Sequence, residues 1–423
     1  MLPEKQGKTV QKKLLPRLRF PEFKNDGKWE VKRLGEVFIK INKLVEEDNT
    51  ASYKPVAVGE KGLRLREEIF DKDLTKNVGK YKVFPFYSVC FGLGSKSLAV
   101  AVNDIENSYY CVSNAYKIYK VKNQVNIKLL KYYIELVRNK WGKKILIQSS
   151  RQGKSIDENI LFDTAIPVPS LPEQQKIAAC LSSLDDLITA ERQKLELLKA
   201  HKKGLLQNLF PQEGETVPKL RFPEFKKDGE WEVKKLGEIS ENIMYGMNAA
   251  AVEFDGENKY IRITDIDENT RLFSPNPLTS PYGQLDDKYL LKVGDILFAR
   301  TGASVGKSYL HQKENGRFYF AGFLIRFTIK NAIPYFVYLQ TLTEQYQKWV
   351  SKTSMRSGQP GINAEQYKLF TIFIPPTIRE QQKITACLLS LDDLITAQTQ
   401  KIELLQQHKK GLLQGLFPKM EEN

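Results

Sequence analysis

Cysteine is scarce. There are four in 423 residues, Cys90, Cys111, Cys180 and Cys387, with no CxxC pair and no Cys/His cluster. That excludes a zinc finger or a disulfide framework legible from spacing, and it fits a reduced, cytoplasmic protein with no structural metal. Histidine is scarcer, at three residues. His201 and His408 occupy equivalent places in a repeat, each beside a lysine pair, and His311 stands alone. No apolar run approaches the ~20 residues that a membrane span needs. The polar, basic stretch Met1 to Lys13 has no apolar segment behind it, so neither a signal peptide nor a membrane partner is expected. No glycine-rich cofactor loop follows an opening strand, and no Asn-Pro-Pro-aromatic motif of amino-methyltransferases is present. The chain is therefore expected to bind no cofactor and to do no covalent chemistry by itself. Acidic charge is in deficit, leaving a formal +15. Such an excess favours a polyanionic partner, because each phosphate met by Lys or Arg releases a counterion.

What is abundant is repetition. EQQKIAACLSSLDDLITAERQKLELLKAHKKGLLQNLFP, from Glu173 to Pro211, aligns without gaps to EQQKITACLLSLDDLITAQTQKIELLQQHKKGLLQGLFP, from Glu380 to Pro418. Upstream, PRLRFPEFKNDGKWEVKRLGE (Pro16 to Glu36) pairs with PKLRFPEFKKDGEWEVKKLGE (Pro218 to Glu238). The middles that follow each front segment hardly resemble one another. Solenoid repeats have periods of about 20–50 residues, so one duplication of this length is a duplicated domain with its connector. The chain divides into front segment 16–36, middle 37–169, long helix 170–211, linker and second front segment 212–238, second middle 239–376 and second long helix 377–418.

The tails carry heptads. Ser170 with Glu173, and Thr377 with Glu380, have the spacing of a capping box. Beyond them apolar residues recur every 3.5 positions for about five heptads, the mark of a coiled coil. Leu181, Leu184, Ile188, Leu195 and Leu198 of the first tail are expected to pair with Leu388, Leu391, Ile395, Ile402 and Leu405 of the second. The polar interruptions fall at matching places: Glu191 and Lys202, then Gln398 and Lys409. Helices of nearly forty residues exceed the roughly 11–12 of an average globular helix, so a spacer role is expected, with antiparallel pairing.

Both middles read as mixed helix and strand. YIRITDI, GDILFAR and FYFAGFLIRFTI of the second are strand-like, and PYFVYLQTLTEQYQKWV (Pro334 to Val350) is expected to be helical. In the first, KYKVFPFYSVCFGLG and SLAVAV read as strands, and a basic helix is expected from about Asn126 to Ile147. Each middle closes with a helix, a basic Gly/Gln/Ser loop, a short apolar strand and a proline. The expected class is thus α+β: two globular mixed α/β domains separated by two long antiparallel coiled-coil helices, in a pseudo-twofold internal repeat.

Two motifs resemble catalytic ones. ARTGASVGKS, from Ala299 to Ser308, has three residues between Gly302 and Gly306 where a Walker loop needs four, and no helical pattern follows. In WEVK an aspartate precedes the glutamate by only four residues, so packing by Trp29, Val31 and Leu34, and by Trp231, Val233 and Leu236, is the expected role. Basic and polar loops remain. Lys96, Arg151, Gln152, Lys154, Arg300, Ser304, Lys307, Arg356 and Gln359 are the candidate DNA contacts, since Arg and Lys pair with guanine and Gln with adenine in the major groove.

These words together resemble the specificity subunit of type I restriction–modification enzymes. The family-typical ones are the PEQQKIA and REQQKI helix starts, LDDLI, the HKKGLLQ-x-LFP close, the PxLRFPEF front and GDILFARTG-x-x-x-GK. The resemblance covers nearly the whole chain. It implies that each middle is a target recognition domain reading one half of an asymmetric bipartite site on double-stranded DNA, that the helices set the gap, and that the chain is non-catalytic. It further implies two methyltransferase subunits, which would bind S-adenosylmethionine, and restriction subunits using ATP and Mg. The rival reading is a coiled-coil scaffold whose ends bind proteins without DNA specificity; an NTPase or nuclease is a further rival.

Overall fold

The computed structural model describes residues 14–59, 62–69, 78–94, 98–148, 154–312, 316–355 and 359–419. The chain forms two compact units: one holds the chain up to Arg192 together with residues from Gln400 onward, the other Gln193–Thr399. The division falls inside the two long helices, Leu171–Asn208 and Ile378–Leu416.

The first unit is built on an antiparallel sheet of four strands. Their spatial order is Phe38–Ile41, Lys117–Val121, Ser88–Leu93 and Leu98–Asn103. Side chains alternate across a strand. Val89, Phe91, Val100, Val102, Tyr119 and Val121 therefore face helix Ile127–Ile145. Cys90, Ala99, Ala101 and Ile118 face a second group of strands, through Val56, Val58, Phe84 and Val112. Both faces are covered, which is why SVCFGL and LAVAVN read as nearly continuous apolar runs.

The second unit repeats this order from unlike residues: Ser240–Tyr245, Leu324–Ile329, Asp295–Ala299, Ser308–Leu310. Ile296, Phe298, Ile325 and Phe327 face its helices, while Leu297, Ala299, Tyr309 and Leu324 face the other layer. The expected single helix of this middle is two, Pro334–Gln340 and Glu344–Ser354. Thr343 breaks it, its hydroxyl accepting from Tyr346 N at 3.3 Å as a fresh N-cap. FYFAGFLIRFTI is likewise two strands, Arg317–Phe320 and Leu324–Ile329. The basic helix of the first middle stops at Ile145, and Leu146–Gln148 turns into a strand paired with Lys154–Ile156.

The front segments are strands as well. Glu30–Arg33 pairs with Ala165–Val168, and Glu232–Lys235 with Thr371–Ile374. Trp29, Leu34, Trp231 and Leu236 are buried. Val31 and Val233 are not: about half of each is exposed, because the strand presents alternate residues to solvent. The buried tryptophans meet the closing phenylalanine of a long helix. Trp29 stands edge-on to Phe417 and Trp231 to Phe210, each at 6.2 Å. The first front segment thus rests on the end of the second tail, and the second front segment on the end of the first. The backbone repeats the arrangement, Leu18 N donating to Gly415 O and Leu220 N to Asn208 O, both at 2.8 Å.

Within each unit the start of one long helix packs antiparallel to the end of the other. In the first, Asp185 pairs with Lys409 and Glu191 with Lys401. In the second, Lys202 pairs with Asp392, while Leu206, Leu209 and Phe210 share a core with Ile384 and Leu388. All ten expected pairing residues, Leu181 to Leu198 and Leu388 to Leu405, are buried or half-buried. The polar interruptions at Glu191, Lys202 and Lys409 are the ion-paired positions.

Candidate nucleic-acid interface

The repeated word EQQ anchors each mixed α/β fold to its helix. Glu173 receives Arg19 through Nε and Nη2 at 2.7 Å each, and Trp29 Nε1–H at 3.2 Å. Glu380 receives Arg221 in the same two-point manner at 2.8 Å. The capping-box spacing had given these glutamates to their own helix starts; their carboxylates instead hold an arginine more than 150 residues away in sequence. The next residue does a second job. Gln174 Oε1 accepts from Asn126 N at 2.7 Å and Gln381 Oε1 from Ile333 N at 3.0 Å, each the N-cap residue of a helix packed on the central sheet.

On these frames two loop segments of the second unit meet: residues 300–307, which join the last two strands of the central sheet, and residues 359–362, beyond helix Glu344–Ser354. In the second unit the two loops are joined. Gly302 N donates to Pro360 O at 3.0 Å, Ile362 N to Arg300 O at 2.9 Å, and Thr301 bridges Gly361. Gln359, exposed, lies over Gly302, its Nε2 3.1 Å from where a Cβ would stand. Arg300 and Gln359 are thereby brought together on one edge, with Ser304 two residues beyond Gly302 in the same loop. Arg300 lies between the rings of Tyr245 and Phe323, 5.0 and 5.7 Å from its Cζ.

Lys307 is elsewhere. It is only 6% exposed, its ammonium bonded to Ile266 O at 3.1 Å and paired with Glu268. The Walker-like loop is tied from within: Gly306, at φ +84°, has Val350 2.5 Å from any added Cβ, and Tyr346 OH donates to its carbonyl. Packing accounts for that glycine and that lysine. Lys154 is exposed at the edge of its two-stranded ribbon, paired across from Gln148. Lys96, Arg151, Gln152 and Arg356 lie outside the described residues. Sequence reasoning missed Tyr245 and Phe323 beside Arg300, and the exposed Met355 that ends helix Glu344–Ser354. Phe323 and Met355 are 58% and 75% exposed, and a large apolar side chain among turn residues was the available signal. Among the described residues no group of His, Cys, Asp and Glu has the makings of a metal site, and no helix is long and apolar enough to cross a membrane.

A second surface recurs with the repeat. Leu187 and Leu394, Leu197 and Leu404, and Leu18 and Leu220 are equivalent pairs, and every one is a large apolar residue 40% exposed or more.

Residues 26–200 and 228–407 match the family described as Type I restriction modification DNA specificity domain. Among curated proteins, the specificity subunit of the type I restriction enzyme MjaVIII from Methanocaldococcus jannaschii is 29% identical over 301 residues, covering 65% of this chain and 67% of that one. The putative MjaX specificity subunit of the same organism is 26% identical over 310 residues, covering 70% and 68%. Among solved structures, the S subunit of a type I restriction–modification system from M. genitalium superposes with a TM-score of 0.58 at 15% identity, covering 96% of this chain and all of that one. A chain from a structural study of assembly in the type I system gives 0.53 at 16% identity, covering 92% and 97%. With two copies of the domain spanning most of its length, this chain belongs to the type I restriction–modification DNA specificity family.

Proposed function

We propose that this chain is the non-catalytic specificity subunit of a type I restriction–modification complex, and that its two domains read the two halves of an asymmetric, interrupted DNA target. The observation that carries this is one frame built twice from unlike sequences. The strand order, the EQQ anchors and the helix contacts repeat, while the loop residues at the end of each sheet differ. A frame held constant under changing loops is what two readers of different half-sites require. The net charge of +15 supplies the sequence-independent affinity for phosphate.

The duplicated tails support the remaining parts. Their pairing gives a stiff connector, about 1.5 Å per residue, that would fix the gap between half-sites. Equivalent exposed leucines on near-identical segments would give one partner two like docking faces, hence two methyltransferase subunits. S-adenosylmethionine would belong to those subunits, and ATP and Mg to restriction subunits joining the same cytoplasmic complex.

The test is methylation mapping in cells expressing the chain with its cognate methyltransferase, using the natural chain and a version in which residues 239–376 are replaced by a second copy of residues 37–169. The expected result is an asymmetric interrupted motif for the natural chain and, for the version with two like domains, an interrupted palindrome built from one of its halves. An unchanged asymmetric motif in the second case, or no motif in either, overturns the reading.

A further inference from the structure

The registers of the two central sheets can be laid on one another residue by residue. Val89 pairs with Tyr119 and Val102, and Ile296 with Phe327 and Leu310. Phe91 pairs with Lys117 and Val100, and Phe298 with Ile325 and Ser308. One more step of the two-residue period brings the first strand to Leu93 and the second to Arg300. These two residues leave equivalent strands on the same face, just past a fully buried phenylalanine, where the loop begins. Leu93 is about half exposed.

We propose that this position determines base specificity in both domains: Arg300 pairs with a guanine in one half-site, and Leu93 packs on a thymine methyl in the other. The inference rests on the reading of these domains as DNA readers. Three features select Arg300 from the cations near it. Its backbone is held on both sides, N donating to Phe323 O and O accepting from Ile362 N. Its guanidinium is stacked between Tyr245 and Phe323, so little side-chain freedom remains to be lost on binding. Its Nε is buried and has no hydrogen-bond partner among the described residues, so no protein acceptor fixes the fork, whereas Lys307 is already engaged. A planar fork held rigid at a loop edge suits the O6 and N7 acceptors of guanine in the major groove. The leucine at the matching place has no donor, and the thymine C5-methyl is the apolar group that groove offers.

The test uses the chain assembled with its methyltransferase, on duplexes in which every base pair of each half-site is varied in turn, at several salt concentrations. Arg300→Leu is expected to lose roughly 5- to 150-fold of discrimination at one base pair in one half-site, leaving the other half-site intact. Arg300→Lys keeps the charge and should lose discrimination at that same base pair with the salt slope unchanged. Leu93→Arg should alter preference at one base pair of the opposite half-site. Weakening of all duplexes alike by Arg300→Leu, with the salt slope reduced by about one, would make Arg300 a phosphate contact and overturn the proposal. Unchanged specificity in all three variants overturns it as well. Absence of any sequence preference in the natural complex would instead overturn the DNA-reader assignment itself.

Discussion

Lys409 places its ammonium 2.9 Å from Asp185 Oδ1, and the equivalent ion pair joins Lys202 to Asp392 in the other unit. The repeated word SLDDLITA supplies the acid and HKKGLLQ the base. Each aspartate has a second partner from the recognition fold: Tyr132 OH donates to Asp185 at 2.8 Å, and Tyr335 OH to Asp392 at 2.6 Å. Burial alone lowers the Lys409 pKa, but Asp185 and Glu135 outweigh it and leave the value raised. Polar residues in an apolar seam favour one register over its slipped alternatives.

Charge reversal tests that role. Asp185→Lys sets two ammoniums together in the seam and is expected to cost about 1–3 kcal/mol of stability. Adding Lys409→Asp should restore part of this, with a coupling of about 0.5–3 kcal/mol in a double-mutant cycle. Full recovery is not expected, because Tyr132 has lost its acceptor. Additive effects in denaturant unfolding would deny the pair a register role.

Lengthening the paired helices tests the gap. Three heptads inserted after Leu195, with three matching heptads after Gln398, add about 32 Å of helix, close to the ~34 Å of one DNA turn. Methylation mapping is expected to show both half-sites unchanged and the gap longer by about one turn. Altered half-sites with a constant gap would contradict the connector role.

The equivalent exposed leucines predict a stoichiometry. Leu197→Lys alone should yield complexes with one methyltransferase subunit instead of two, and Leu197→Lys with Leu404→Lys complexes with none, as read by light scattering. Both side chains are well exposed, so unfolding midpoints should stay within about 0.5 kcal/mol of the natural chain. Two bound subunits in the double variant would exclude these residues from docking.

His311 predicts a pH dependence in the second unit. It is buried against Phe318 with Tyr309 beside its Nδ1. Burial lowers its pKa below the ordinary 6.5, opposed in part by Asp295. On acidification the unfolded chain takes the proton first. The stabilisation is complete above about pH 6.5 and falls as pH drops toward the folded value, by no more than about 1.4 kcal/mol per pH unit. Unfolding midpoints compared at pH 7.5 and 5.5 should differ less in His311→Gln than in the natural chain; equal differences would place the dependence elsewhere.

Much of this was legible in the chain. The heptads marked ten positions of the long helices that are buried or half-buried, because amphipathic periodicity is local. Other features were hidden for a shared reason. Glu173 and Glu380 have capping-box spacing, yet their carboxylates hold Arg19 and Arg221, which sequence places 154 and 159 residues away. Val31 and Lys307 were misjudged in opposite directions: an apolar residue faces solvent and a loop lysine faces inward, as strand alternation and the Ile266 carbonyl dictate. Arg300 and Gln359 were named separately; only the bridge between Thr301 and Gly361 made them neighbours.

The sequence by itself determined the duplication, the two long amphipathic helices and the alternating strands, since each follows from backbone periods of 3.5 and 2 over a few turns or residues. Tertiary structure alone decided that the first front segment closes on the second tail and the second on the first. Near-identical tails offer near-identical surfaces, so no local residue choice separates one from the other. Burial of Trp29 against Phe417 and Trp231 against Phe210 settles the matter, because that burial depends on which helix end long-range packing brings to each tryptophan.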